Sequence, residues 1–148
     1  MLSDEHYLQE VLAEEIPLTK AIGITVKKFT GDSLTLSAPL ENNLNHKSTA
    51  FGGSLYSVAV LAGWGLLHMH MRAAELPGKI VIHESRIKYL RPVTGEIIAT
   101  CSIAVDTGIE KFLQIFRRKK VARVLLSVQI LQGGKVAVDF TGRYVVHQ

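Results

Sequence analysis

The run Asn45-His46-Lys47-Ser48-Thr49-Ala50-Phe51-Gly52-Gly53-Ser54-Leu55 holds the constellation with the clearest chemical use. A polar loop meets a long apolar segment there through two glycines. With that segment helical, the backbone N–H groups of Gly52, Gly53 and Ser54 stand bare at its positive end, where they can polarise a carbonyl or hold an oxyanion. Asn45 adds a neutral side-chain NH2 donor. Each residue also has a purely structural use. The glycines let a helix start pack closely, an Asn in a loop bonds its own backbone, and Thr49 and Ser54 cap a helix as readily as they bond a substrate. His46 lines the mouth of such a site or is solvated.

Other chemistry is sparser. His68 and His70 are two apart, so on a helix they face different ways and make a poor metal pair. No metal and no cofactor is expected. Cys101 is alone, which excludes an internal disulfide and fits a reducing, cytoplasmic location. His83, Glu84 and Ser85 interrupt an otherwise apolar strand, as a wet sheet face or as part of a site. Arg117-Arg118-Lys119-Lys120, with Lys88 and Arg91, offers a surface for an acidic carrier protein or for the phosphates of coenzyme A; cations closing a helix would read the same way. Phosphate-binding and dinucleotide glycine loops and the Gly-x-Ser-x-Gly elbow are all missing.

The elements that must position these groups follow from patterning. The 148 residues, 47% hydrophobic and 20% charged, suit one domain with one core. A net charge of +4 without a long basic run or interleaved aromatics is weak evidence for nucleic acid and fits an acidic protein partner equally; no nucleic acid partner is expected. Acids within residues 1–15 argue against an export signal, and the glycines and histidines within Phe51 to Met71 against membrane insertion. Residues 1–20 read as a helical N-terminal segment, with Ser3 as N-cap and Pro17 as terminator. Ile22 to Val26 and Ser33 to Ala38 alternate around Gly31-Asp32 as a hairpin. After the long helix come strands at Lys79 to Leu90, Glu96 to Val105, Val121 to Leu131 and Lys135 to Val146. Ile109 to Lys119 reads as a short helix before the last two. The fold class is α+β, an antiparallel sheet of about six strands wrapped around one long central helix, a hotdog architecture spanning 1–148. Open sheet edges predict a homodimer or a dimer of dimers.

Asn45, a five-residue gap, Phe51-Gly52-Gly53, a long helix and then Ile87-Lys88-Tyr89-Leu90-Arg91-Pro92 resemble the hotdog-fold acyl-thioester enzymes, which carry His-Gly-Gly and later Leu-Arg-Pro. Phe-Gly-Gly-Ser-Leu-Tyr followed by Leu61-Ala62-Gly63-Trp64-Gly65 is similar to the narrower YiiD C-terminal-type thioesterase-like family. Its members include stand-alone malonyl-acyl carrier protein decarboxylases. The chain departs from the hydrolytic pattern twice. The usual His is Phe51, and the acid that activates water two turns into the helix is missing from Ser57 to Leu61.

The resemblance implies a thioester enzyme acting on an acyl group held by acyl carrier protein or coenzyme A. Decarboxylation of the malonyl thioester to the acetyl thioester, priming fatty acid synthesis, suits donors without a nucleophile. Asn45 and the Gly53 and Ser54 amides are the expected catalytic groups. His46, Thr49, Phe51, Gly52, Ser85 and Arg91 are the expected substrate contacts, Ser85 from across a dimer interface. A thioesterase in which Glu84 or an acid from the partner subunit activates water, and a non-catalytic thioester-binding sensor, are the alternatives.

Overall fold

A computed structural model describes residues 2–148. Helix α1, Asp4–Glu15, starts where Ser3 accepts the His6 amide at 3.1 Å, and it buries Leu8 and Leu12. The strand expected from Ile22 begins only at Thr25, because Leu18–Ile22 forms a short helix, α2. Thr19 explains the difference: it is buried, and its hydroxyl donates to Leu12 and Ile16 carbonyls, while Gly23 closes the turn at φ 81°.

Six strands follow: β1 Thr25–Phe29, β2 Ser33–Ala38, β3 Lys79–Tyr89, β4 Ile97–Ser102, β5 Val121–Gln132 and β6 Lys135–His147. They form one antiparallel sheet in the order β1-β2-β4-β5-β6-β3. Helix α3, Gly52–Ala73, lies across its concave face, and α4, Ile109–Lys119, links β4 to β5. This is the hotdog arrangement. Gly133 and Gly134, at φ 59° and 76°, turn β5 into β6.

Alternation buries Val124, Leu126, Val128 and Ile130 of β5 and Val138, Phe140, Tyr144 and Val146 of β6 under α3. Close approach decides the small residues of the helix. A Cβ at Gly65 would sit 2.6 Å from Leu34, and one at Gly63 would collide with the Tyr144 ring and hydroxyl. That hydroxyl donates to the Val60 carbonyl at 2.7 Å, and burial pushes its pKa up, so it stays a donor. Burial likewise pushes the Cys101 thiol up to about 12, which keeps it protonated and inert.

The two sheet edges differ. Along β1, Gln9 of α1 accepts from Val26 N–H at 2.7 Å and donates to Ile24 carbonyl at 2.8 Å, and Glu5 accepts from Phe29 N–H at 3.0 Å. That bond holds the Glu5 carboxyl below its usual range. Side chains thus occupy the ladder groups of this edge. The other edge, β3, is 11 residues long and mostly exposed. A bulge at His83 shifts its register against β6, so Ile80 and Ile82 face α3 before it, and Ser85, Ile87 and Tyr89 after it.

His68 and His70 diverge as their spacing requires. His70 meets Gly31 carbonyl at 2.7 Å, whereas His68 stacks between Trp64 and Tyr7 and bonds the Tyr7 hydroxyl at 3.0 Å. Desolvation lowers the His68 pKa from 6.5, so the unfolded chain takes up its proton first. Stability should fall as pH drops through 6.5 and on through the lowered folded value. Urea titrations from pH 7.5 to 5 should show a shallower fall for His68→Gln than for wild type. Gly63→Ala should cost about 1–3 kcal/mol by the same measurement, the ordinary cost of overpacking a core.

Candidate active site at the start of the central helix

The loop before α3 is pinned from both sides. Asn43 is buried, its amide donating to Ile22 and Pro39 carbonyls at 3.0 and 2.8 Å. Its own carbonyl takes the Phe51 N–H at 2.7 Å, and Ala50 N–H reaches Val93 carbonyl at 2.9 Å. The helix start is therefore fixed to the connection that follows β3.

Asn45 organises the turn between. Its Oδ1 accepts from Lys47 and Thr49 amides at 2.8 and 3.1 Å, and its Nδ2 donates to Thr49 Oγ1 at 2.8 Å and to Ala50 carbonyl at 3.3 Å. The structural role of this residue, a self-bonded loop turn, is thus realised in full. Of the four bonds, the one to Ala50 is the longest.

Phe51 is the N-cap and supplies no side-chain acceptor, so the first-turn amides of Gly52, Gly53 and Ser54 receive no cap. Its ring is half exposed and folds back over Gly53, where a Cβ would come within 2.5 Å of it. Any side chain at position 53 would thus displace that ring and cover the amides. Ser57 donates back to the Gly53 carbonyl at 2.9 Å and carries no charge into the site.

Two hydroxyls of β3, Tyr89 and Ser85, and one of the helix, Tyr56, complete the arrangement. Tyr89 donates to the Gly52 carbonyl at 2.9 Å, holding the first turn against β3; burial raises its pKa, with Tyr56 adding to the shift. Ser85 and Tyr56 share a hydrogen bond at 2.6 Å, and Tyr56 packs edge-on to Phe140. Ser85 therefore meets the helix within one chain. Tyr56 and Tyr89 are the site residues that motif reading missed. The signal for Tyr89 was present in the alternation Ser85, Ile87, Tyr89, but the bulge at His83 puts that series out of phase with Ile80 and Ile82 and so hides which face it shares.

The remaining expected contacts lie further out. Thr49 sits inside the Asn45 turn, His46 is exposed, and Arg91 Nε donates to Val136 carbonyl at 3.2 Å. Glu84 is on the face of the sheet away from α3, paired with Arg143 at 2.6 Å.

An uncapped helix start, an Asn-centred loop and a sheet curled round the helix define a thioesterase-like hotdog protein. The family model described as "Putative thioesterase (yiiD_Cterm)" matches residues 5–148, and the chain belongs to that family. It is similar to a protein of unknown function from Chlorobaculum tepidum at 33% identity and TM-score 0.92, covering 96% of this chain and 93% of that one. It is also similar to a "putative thioesterase" from Shewanella oneidensis at 30% identity and TM-score 0.89, covering 98% of each. A Pseudomonas aeruginosa protein described as a "probable thioesterase" shares the fold at 20% identity and TM-score 0.82, with 99% and 96% covered.

The Asn45 bonds make a prediction independent of catalysis. Asn45→Ala removes both acceptors and donors and should cost about 1–2 kcal/mol in urea unfolding. Asn45→Asp keeps the Oδ1 acceptor for the Lys47 and Thr49 amides and should cost less.

Proposed function

We propose that the protein decarboxylates a malonyl thioester on acyl carrier protein or coenzyme A, giving the acetyl thioester that primes fatty acid synthesis. The observation that carries this reading is a helix start rich in free N–H donors with no carboxylate on Ser57 to Leu61. The thioester oxygen accepts from the Gly53 and Ser54 amides and from Asn45, whose long bond to Ala50 is the one that yields. The bond between the malonyl α-carbon and its carboxylate then breaks, CO2 leaves, and the electron pair settles as an enolate held by these donors. The Tyr56–Ser85 hydroxyl pair stands beside the helix start and relays to the α-carbon a proton that water replaces. No nucleophile is required. A carboxylate in place of Asn45 would repel the substrate's own charge.

The site is completed by a second copy. The bare 11-residue edge of β3 suits antiparallel pairing with itself. The register that pairs its whole length puts Lys79 of one copy opposite the partner's Tyr89. The groove of about 600 Å³ beside Val60, Trp64, Ile80 and Ile82 then adjoins the partner's helix start. Glu15, His68 and Lys79 line the same groove; a malonyl carboxylate seated against its apolar side, away from Lys79, would be disfavoured relative to the enolate left when CO2 departs.

The second reading is thioester hydrolysis, which the family description supports. It needs an acid to activate water, and the candidate on β3, Glu84, is held by Arg143 on the opposite face.

Incubation with malonyl-acyl carrier protein and malonyl-coenzyme A, with products resolved by mass spectrometry, tests the proposal. Acetyl thioester is the expected main product, and Asn45→Asp should lower its rate about 10²- to 10³-fold, as for a lost oxyanion donor, in a folded protein. Free thiol as the main product would establish hydrolysis. Binding without any product would establish a sensor.

A further inference from the structure

At the other end of β3 from the helix start, six cations stand outside any ion pair among the described residues. Arg117, Arg118 and Lys119 close α4, and Lys120 follows at φ 61°, all exposed. His147 lies beside both Val121 and Lys79 in the sheet, so Lys79 joins the end of α4 across β6 and β5. Arg123 is exposed two residues into β5. Among the described residues the ion pairs are His6–Glu10, Arg72–Asp4 and Arg143–Glu84, and none includes these six. Two acids approach this end: Glu75 lines a groove with Arg72 and Lys79, and Glu15 lines another with His68 and Lys79.

One or two cations suffice to meet the negative pole of a short helix. Four in succession, extended by two strand residues, make a wider field. Successive helical side chains diverge by about 100°, so these cations fan over a convex surface instead of converging. Nucleotide phosphates call for convergent donors, whereas a spread field suits a broad acidic protein face.

Position adds the second argument, which rests on the thioester reading and on edge-to-edge pairing of β3. The strand spans about 35 Å at roughly 3.3 Å per residue, so the cations are far from their own chain's helix start. Full-length pairing sets Lys79 opposite the partner's Tyr89, at the partner's site. We infer that the surface formed by Arg117, Arg118, Lys119, Lys120, Lys79 and Arg123 docks an acidic acyl carrier protein and delivers its thioester to the active site of the other subunit.

The test is Arg117→Glu with Arg118→Glu, away from the catalytic groups. Carrier-protein binding, read by fluorescence anisotropy, should weaken ten-fold or more at low salt, with the difference shrinking as salt rises, while malonyl-pantetheine turnover is unchanged. Unchanged carrier binding, or equal loss on malonyl-pantetheine, would overturn the inference. Mixed dimers decide the direction. A chain with reversed charges and an intact site, paired with an Asn45→Ala chain of native charge, should turn over malonyl-carrier protein as the half-active control does; impairment would mean docking within one subunit and overturn delivery across the dimer. Wild-type protein that binds the carrier through this surface yet forms no acetyl thioester would sink the decarboxylase reading and leave the docking surface standing.

Discussion

Everything at the site depends on a helix that starts without a cap. Most helices meet their first amides with Ser, Thr, Asp or Asn; here the N-cap is Phe51, followed by two glycines. Three free donors, the Gly52, Gly53 and Ser54 amides, would fray a helix end, so other bonds must hold it. Asn43, Val93 and Tyr89 take hold of Phe51, Ala50 and Gly52 from three directions, and the four bonds of Asn45 fix the loop behind them. The first turn is rigid because its carbonyls and its flanking residues are bonded, while its amides stay open. Such preorganised dipoles need little reorganisation when charge develops on a substrate oxygen.

The two sheet edges are finished differently. Edge β1 is protected by Gln9 and Glu5 reaching down from α1, which is why the first helix matters beyond its two buried leucines. Edge β3 has no such cover, yet it is the longest exposed run of ladder groups in the sheet. Its bulge turns Ser85 and Tyr89 toward the helix start and Glu84 toward Arg143 on the far face. A one-residue insertion thus separates the polar contacts of the site from the acid that could have brought water chemistry to it.

Much of this was legible in the sequence. Alternation in β5 and most of β6, the glycine turns and the nearly all-round apolar character of α3 mark the sheet and its helix, and α4 runs over the residues its Phe112, Leu113 and Phe116 spacing indicates. Three features were not legible. Helix α2 depends on a buried Thr19 bonding two carbonyls, which overrides the strand-like pattern from Ile22. Tyr56 and Tyr89 come together only through the bulge at His83. Asn45 reads as a donor from its neighbours in sequence, but its bonds to Thr49 and Ala50 appear only once the loop is folded. The charge pattern at the end of α4 was visible as a run, while its continuation onto Lys79 needed the pairing of β3, β6 and β5.

The proposed decarboxylation passes through an enolate with the thioester intact. Reaction of a malonyl thioester with the protein in D2O, followed by mass spectrometry of the thioester product, is the decisive test. Acetyl thioester carrying deuterium on its methyl group from the first turnovers, with the carbon–sulfur bond unbroken, is the expected result. Free malonate and free thiol, formed with no deuterated acetyl thioester, would contradict it.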